Sequence, residues 1–179
     1  MSDGQRAPRL APTNPATGEP RRPATVWIAA ACFALAVVFI GTSLAQVYWN
    51  AIGDFEHASL LMSSFQTDPG SLQRVLLAVA VTVAALVASI ACVIAGFYGW
   101  AGFRWTRWGA IIAFVLSGLS IMLNPVAWAA IVFSVAGAVL VWLPPAGRFF
   151  AAWSVRRHPV AHYAPPVTEV RYGPLPRYR

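Results

Sequence analysis

The sequence predicts an all-α membrane protein: a four-helix transmembrane bundle, N-in and C-in, with disordered, basic, proline-rich termini. Three observations carry that prediction. Four long apolar runs free of Asp, Glu, Arg and His divide the chain. Twelve of the thirteen arginines fall in segments that four crossings would put on one side, and the chain has no lysine. Six of the eight tryptophans fall near that same boundary.

Composition limits the class before any motif is read. The 179 residues are 58% hydrophobic and 11% charged, with a mean hydropathy of +0.61. Soluble domains carry about 25% charged residues, so this chain lacks the polar surface to face water all round. The net charge of +7 and pI near 10.5 raise the question of nucleic acid. The arginines flank apolar runs instead of forming a basic face on a soluble fold, so no nucleic-acid partner is predicted. Their expected partner is the lipid bilayer, through its anionic headgroups. Arginine without lysine, with abundant Ala, Val and Pro, points to a GC-rich bacterial source.

The elements follow in order. Residues 1–24 hold five prolines and four arginines and predict a disordered cytoplasmic arm. Residues 25–157 form the membrane domain. Its first span, 25–48, exceeds the roughly 20 residues needed to cross a hydrocarbon core of about 30 Å. Ser43-Leu44-Ala45 loosely fits a signal-peptidase site, but a signal core runs only about 7–15 apolar residues. Retention is therefore expected over cleavage. The outer loop, 49–74, carries Asp54, Glu56 and Asp68 and turns at Asp68-Pro69-Gly70. Within it Ile52, Phe55, Ser59, Met62 and Phe65 have the spacing of a short amphipathic helix. The second span is 75–99.

The third span, 105–123, holds only 16 uncharged residues from Trp108 to Leu123. Part of Phe103–Arg107 is expected to complete it, with the arginines snorkelling to the headgroups. Asn124-Pro125 makes a minimal outer hairpin, and the fourth span is 126–143. In the stretch 147–157, Phe149, Phe150 and Trp153 share a helical face between arginines, as in an interfacial helix. Residues 158–179, rich in Pro, Tyr and Arg, predict a disordered cytoplasmic tail.

Orientation follows from counting. With the N-terminus inside, the cytoplasmic segments hold four, two and six arginines and the outer ones only Arg74. Trp27, Trp100, Trp105, Trp108, Trp142 and Trp153 then lie near the inner boundary, and Trp49 and Trp128 near the outer. Indole favours that zone because the ring is apolar and its N–H needs a wet partner. The predicted location is a bacterial plasma (inner) membrane, multi-pass, with both termini cytoplasmic.

No catalytic, cofactor-binding or metal site is predicted, and the chain is expected not to be an enzyme. It lacks a Walker loop, a dinucleotide fingerprint, HExxH and a nucleophile elbow. An uncharged membrane interior argues against a proton-coupled carrier. Thr42, Ser43, Gln46, Thr82, Ser89, Ser117, Ser120 and Ser134 could line a pore, but helix-to-helix or helix-to-backbone bonding is the simpler role. Ala84 with Ala88, Ala85 with Ser89, and Ala130 with Ser134 and Ala138 have the spacing of close helix packing. Cys32 and Cys92 match in expected depth, yet they read as small apolar residues. Asp54, Glu56 and His57 could in principle perform acid–base chemistry, but one short loop offers no pocket or convergent partners, so a solvated loop is expected. His158 and His162 are separated by Pro159 and form no metal site. The tail 158–179, with Pro165-Pro166 and Thr168, could dock a cytoplasmic or membrane partner.

The Gly102-Phe103-Arg104-Trp105-Thr106-Arg107-Trp108-Gly109 turn and the Leu143-Pro144-Pro145-Ala146-Gly147-Arg148-Phe149-Phe150 segment extend the comparison. With the basic arm, they make the chain resemble small uncharacterised four-helix integral membrane proteins of actinobacteria, of the mycobacterial type. That resemblance covers most of residues 25–155. It implies the fold and a cell-membrane location, and brings no catalytic residue. The expected function is that of an accessory or scaffold protein acting through helix packing and its basic arms. A subunit of a small oligomeric transporter or channel, a homo-oligomer, is the alternative.

Overall fold

Alternating steps of three and four residues set the architecture. In the computed structural model, which describes residues 12–15 and 17–158, helix α1 (Ala24–Gly53) buries Val26, Ala29, Phe33, Ala36, Ile40, Ser43 and Val47. That spacing keeps one stripe turned toward neighbouring helices. After a four-residue helix α2 (Leu60–Ser63), α3 (Leu72–Trp100) buries Leu77, Val81, Ala84, Ala88, Cys92, Ala95 and Gly99 by the same steps. Helix α4 (Thr106–Ser117) buries Thr106, Ala110, Ala113 and Ser117. Helix α5 (Pro125–Trp142) buries Ala127, Ala130, Ser134, Gly137, Ala138 and Val141. Most of these residues are Ala, Gly or Ser, which lets helix backbones approach closely.

α1 packs on α3 and α5, and α4 packs on the same two helices. Few contacts cross the diagonal between α3 and α5. Successive long helices run antiparallel, so the result is an up-down-up-down bundle. Phe33 is one of its largest buried side chains, with 1% of its surface exposed. A Cβ on Gly96 of α3 would lie 3.3 Å from Phe33 Cβ, and one on Gly137 of α5 would lie 3.0 Å from Phe33 Cε2. The ring packs tightly on Gly137 and the base of the side chain on Gly96.

Three helices, α1, α3 and α5, are long and apolar enough to cross a membrane, and Thr106–Met122 is a shorter apolar segment. Their outward faces carry Val38, Val79, Val83, Ile90, Val93, Val132 and Val139, all more than half exposed. A continuous apolar belt of that kind marks a surface that meets lipid or protein, not water.

The short segment gains length at its far end. Only Thr106 and Arg107 of the Phe103–Arg107 stretch join the helix, because Gly102, at φ +81°, turns the chain first. After Ser117 the helix tightens into five 3₁₀ residues, Gly118–Met122. With their steeper rise, the whole segment reaches about 28 Å.

Other boundaries also move. α1 runs five residues beyond Tyr48, and α3 starts at Leu72. The amphipathic helix expected over Ile52–Phe65 reduces to α2, capped by Ser59 Oγ accepting from Met62 N at 3.1 Å. Asp54 competes for the backbone there: its Oδ1 accepts from His57 N at 3.3 Å and forms a turn. The segment expected as an interfacial helix over 147–157 forms α6 (Pro144–Arg157), started by Pro144 and Pro145. Its Ala146, Phe149 and Phe150 are buried against the bundle instead of facing outward.

Residues 12–15 and 17–23 are not free of structure. Thr13 and Pro20 form an antiparallel bridge, and Arg21 N donates to Pro12 O at 2.8 Å. The rest of the expected disordered arm, 1–11 with residue 16, and the tail from 159 lie outside the described residues, as does His162.

Candidate functional site

One end of the bundle gathers arginines onto aromatic rings. Trp27 and Trp100 meet edge to face at 6.2 Å, and Arg22 Cζ sits 4.4 Å from the Trp100 ring centre. Trp108 and Trp142 meet at 5.8 Å. Arg107 Cζ lies 5.6 Å from Trp142 and 5.8 Å from Phe150. Guanidinium over a ring contributes about 0.5–1 kcal/mol where exposed and more where desolvated.

Arg157 closes this layer. Just past the end of α3, where the helix's negative dipole end lies, the turn residues Ala101 and Gly102 present carbonyls. Arg157 Nη1 donates to Gly102 O at 3.0 Å and Nη2 donates to Ala101 O at 2.5 Å. Its Cζ lies 3.8 Å from the Phe103 ring centre and 5.0 Å from that of Trp153. The final turn of α6 is thus fastened to the α3–α4 turn, and the chain beyond it departs from a defined point. Two donors in this layer, Arg107 Nε and Trp153 Nε1, are buried without an acceptor among the described residues.

Gly102 is required at this latch twice over. Its φ is +81°, and a Cβ there would stand 2.5 Å from Trp153 Cδ1. Gly102→Ala is expected to cost about 2–4 kcal/mol through backbone strain and overpacking. The latch should open, and trypsin should cleave after Arg156 and Arg157 faster than in the parent chain. An unchanged cleavage rate would show that Gly102 does not hold the latch.

Among the hydroxyls considered for a pore, those of Ser43, Thr82, Ser117, Ser120 and Ser134 are engaged with neighbouring chain. Ser117 and Ser134 share a 2.6 Å bond between α4 and α5, in which one hydroxyl donates to the other while the accepting one donates to its own helix, at Phe114 O or Ile131 O. Ser120 Oγ donates to Ala127 O at 3.1 Å. Thr82 Oγ1 donates to Ala78 O and meets Tyr48 Oη of α1. At the other end of the bundle, Ser43 Oγ donates to Asn124 Oδ1 at 2.6 Å, while Asn124 Nδ2 donates to Gln46 Oε1 at 3.3 Å. The junction at Asn124 was not singled out by sequence reasoning. Its one available signal was an Asn directly before a helix-starting Pro, a capping pattern.

Asp54, Glu56 and His57 do not converge. His57 Nδ1 and Asp54 Oδ2 are 2.8 Å apart, both well exposed, while Glu56 turns to Arg74 at 3.8 Å. Arg74 also donates through Nε to Thr67 Oγ1 at 3.0 Å. Trp49, Asn50, Gly53, Asp54 and His57 line an open depression, and no group of three metal-ligating side chains occurs among the described residues.

Desolvation works to raise the Asp54 carboxyl pKa, but the His57 side chain and backbone bonds, its charge and the Glu56 N–H outweigh it and hold the pKa below its ordinary value. A depressed folded value means that the turn is supported above the unfolded pKa of about 3.9 and loses that support as pH falls through the folded value. An NMR titration of the His57 amide is expected to show a midpoint below about 3.9, and Asp54→Asn should remove the transition. A midpoint at or above the ordinary value would contradict the turn geometry.

Cys32 and Cys92 are both free thiols. Cys92 is buried and Cys32 half-buried, and only Cys92 reaches the cleft between α1 and α3.

Comparison with known proteins finds no matching family model, no matching curated protein and no matching solved structure.

Proposed function

We propose that the chain is a four-span protein of a bacterial inner membrane, with both termini cytoplasmic, that works as an accessory or scaffold protein. On this reading the bundle is a mount, and the working parts are the basic arms it holds at the membrane surface. The observation that carries the proposal is the Arg157 latch. Its bonds to Ala101 O and Gly102 O give the segment from 158 onward a fixed point of departure. On this reading a docking strip in that tail starts from the bundle surface at Arg157.

Two further features support it. The space between Val26, Phe33, Gly96, Val141 and Phe150 is too tight for water. The arginine–tryptophan layer gathers cations and interfacial rings at one end, as expected where a bundle meets anionic headgroups.

The test is a crosslinked pull-down from native membranes, comparing the full chain with one ending at Arg157. The expected result is a stoichiometric protein partner captured only with the tail. Capture of no partner, together with flux in proteoliposomes that depends on Gln46 or Ser120, would replace this reading with an oligomeric transporter or channel.

A further inference from the structure

Between α1 and α3, on the outward face, runs a cleft of about 450 Å³ with an almost wholly apolar lining. Ala30, Ala34 and Val37 form one wall, and Val93, Gly96 and Trp100 form the other. Its volume falls in the range of small-ligand sites, about 300–1,000 Å³. It is open because Ala30 and Ala34 are small where neighbouring outward positions carry Val, Ile or Leu, and because Gly96 at its floor has no side chain.

The cleft ends at a charged group. Trp100 closes it, and Arg22 stacks on that ring while its Nε donates to Trp100 O at 3.4 Å. Stacking and this long bond together orient the guanidinium over the ring. Among the described residues no acceptor engages Arg22 Nη1 or Nη2, so both amino groups remain at the mouth. On α1 the walls run from Ala30 to Val37, and on α3 from Cys92 to Trp100. At 1.5 Å per residue this is about 10–12 Å, less than the half-thickness of about 15 Å of one leaflet.

We infer that this cleft is a specific site for one anionic phospholipid of the inner leaflet, with an acyl chain between α1 and α3 and the phosphate on the Arg22 guanidinium. The inference rests on the four-span reading above. Length and charge together select this occupant. A partner helix would need a groove running the full membrane thickness, and this one stops within a leaflet. An apolar ligand without charge would leave the fixed donors of Arg22 unused, whereas a phosphate accepts both. The cleft on the other side of α3, about 370 Å³ between Ile90, Ile94, Gly109 and Ile112, ends at Trp105. Among the described residues no arginine stacks on Trp105, which makes that cleft an internal control.

The test uses the purified full chain in detergent, titrated with phosphatidylglycerol or phosphatidylcholine and read by native mass spectrometry. One phosphatidylglycerol per chain is expected, preferred about tenfold, because the choline ammonium that phosphatidylcholine carries beside the same phosphate is repelled by the Arg22 guanidinium. Arg22→Gln should remove most of that preference. Arg21→Gln, which changes an exposed neighbour, should leave it in place. Ala34→Phe, which fills the cleft from an exposed position, should abolish retention of both lipids, and Ala91→Phe in the control cleft should not. Equal retention of the two lipids by the parent chain would overturn the inference. So would equal losses from Arg21→Gln and Arg22→Gln, which would indicate only diffuse attraction. Loss of self-association in Ala34→Phe without loss of lipid would assign the cleft to a second copy. Alkaline extraction of native membranes separates the two levels: release of the chain would sink the four-span reading itself, while retention without lipid preference would sink only the lipid site.

Discussion

Phe33→Ala is expected to be the most damaging truncation in the chain, costing about 3–5 kcal/mol of unfolding free energy. The ring is almost fully enclosed, with Gly96 on one side and Gly137 on the other. Neither glycine has a side chain that can swing into the vacated space. The hole would therefore persist, and its walls would lose their dispersion contacts. In a bilayer this loss matters especially, because helices associate there by packing and not by escape from water. Unfolding in mixed micelles measures it, and a loss below about 1 kcal/mol would mean that Phe33 is not a packed knob. The glycines should behave as its complement. Gly137→Val adds bulk at a position whose Cβ already approaches the ring to 3.0 Å, so overpacking should cost about 1–3 kcal/mol. Phe33→Leu combined with Gly137→Ala should cost less than the two separate changes together, because each relieves the other.

Asn124→Ala should cost about 2–4 kcal/mol, from one capping bond and one buried hydroxyl deprived of its acceptor. Asn124 Oδ1 accepts from Ala127 N at 3.2 Å, which starts α5, and from Ser43 Oγ at 2.6 Å, which ties that start to α1. Its Nδ2 reaches Gln46 Oε1 and Ser43 O on the same helix. The adjacent Leu123 O accepts from Leu60 N at 2.8 Å and brings the α2 loop into the junction. Ser43→Ala removes one partner and leaves the cap intact, so its expected cost is only about 1 kcal/mol. Thermal unfolding of the two variants in one detergent checks the order. If Ser43→Ala were the more harmful, the α1 contact and not the cap would hold this end together.

Much of the helical architecture was legible in local patterns. The apolar runs marked α1, α3 and α5, and Asn124-Pro125 marked the break before α5. The paired small residues Ala84 and Ala88, and Ala130, Ser134 and Ala138, are buried at the seams as close packing requires. Misreadings came where a neighbour competed with helix periodicity. Ile52 through Phe65 has helical spacing, but the Asp54 side chain binds the His57 amide and breaks the pattern. Phe149, Phe150 and Trp153 share a face between arginines, and hydropathy alone leaves that face to the headgroups. The open end of the bundle takes the two phenylalanines instead.

The candidate site was far less legible. Arg157 had a count and a sign in the sequence, while its acceptors lie 55 and 56 residues away. Arg22 and Trp100 are 78 residues apart. By itself the sequence determined where helices can run, which faces hold small residues and on which segments the arginines concentrate, because these depend on residue type and local spacing. Only the tertiary structure decided that Phe33 meets two glycines, that Asn124 joins α5 to α1 and that Arg22 closes an apolar cleft. Those contacts depend on how each helix is rotated and how far it slides against its neighbours, and many side chains share in setting that geometry.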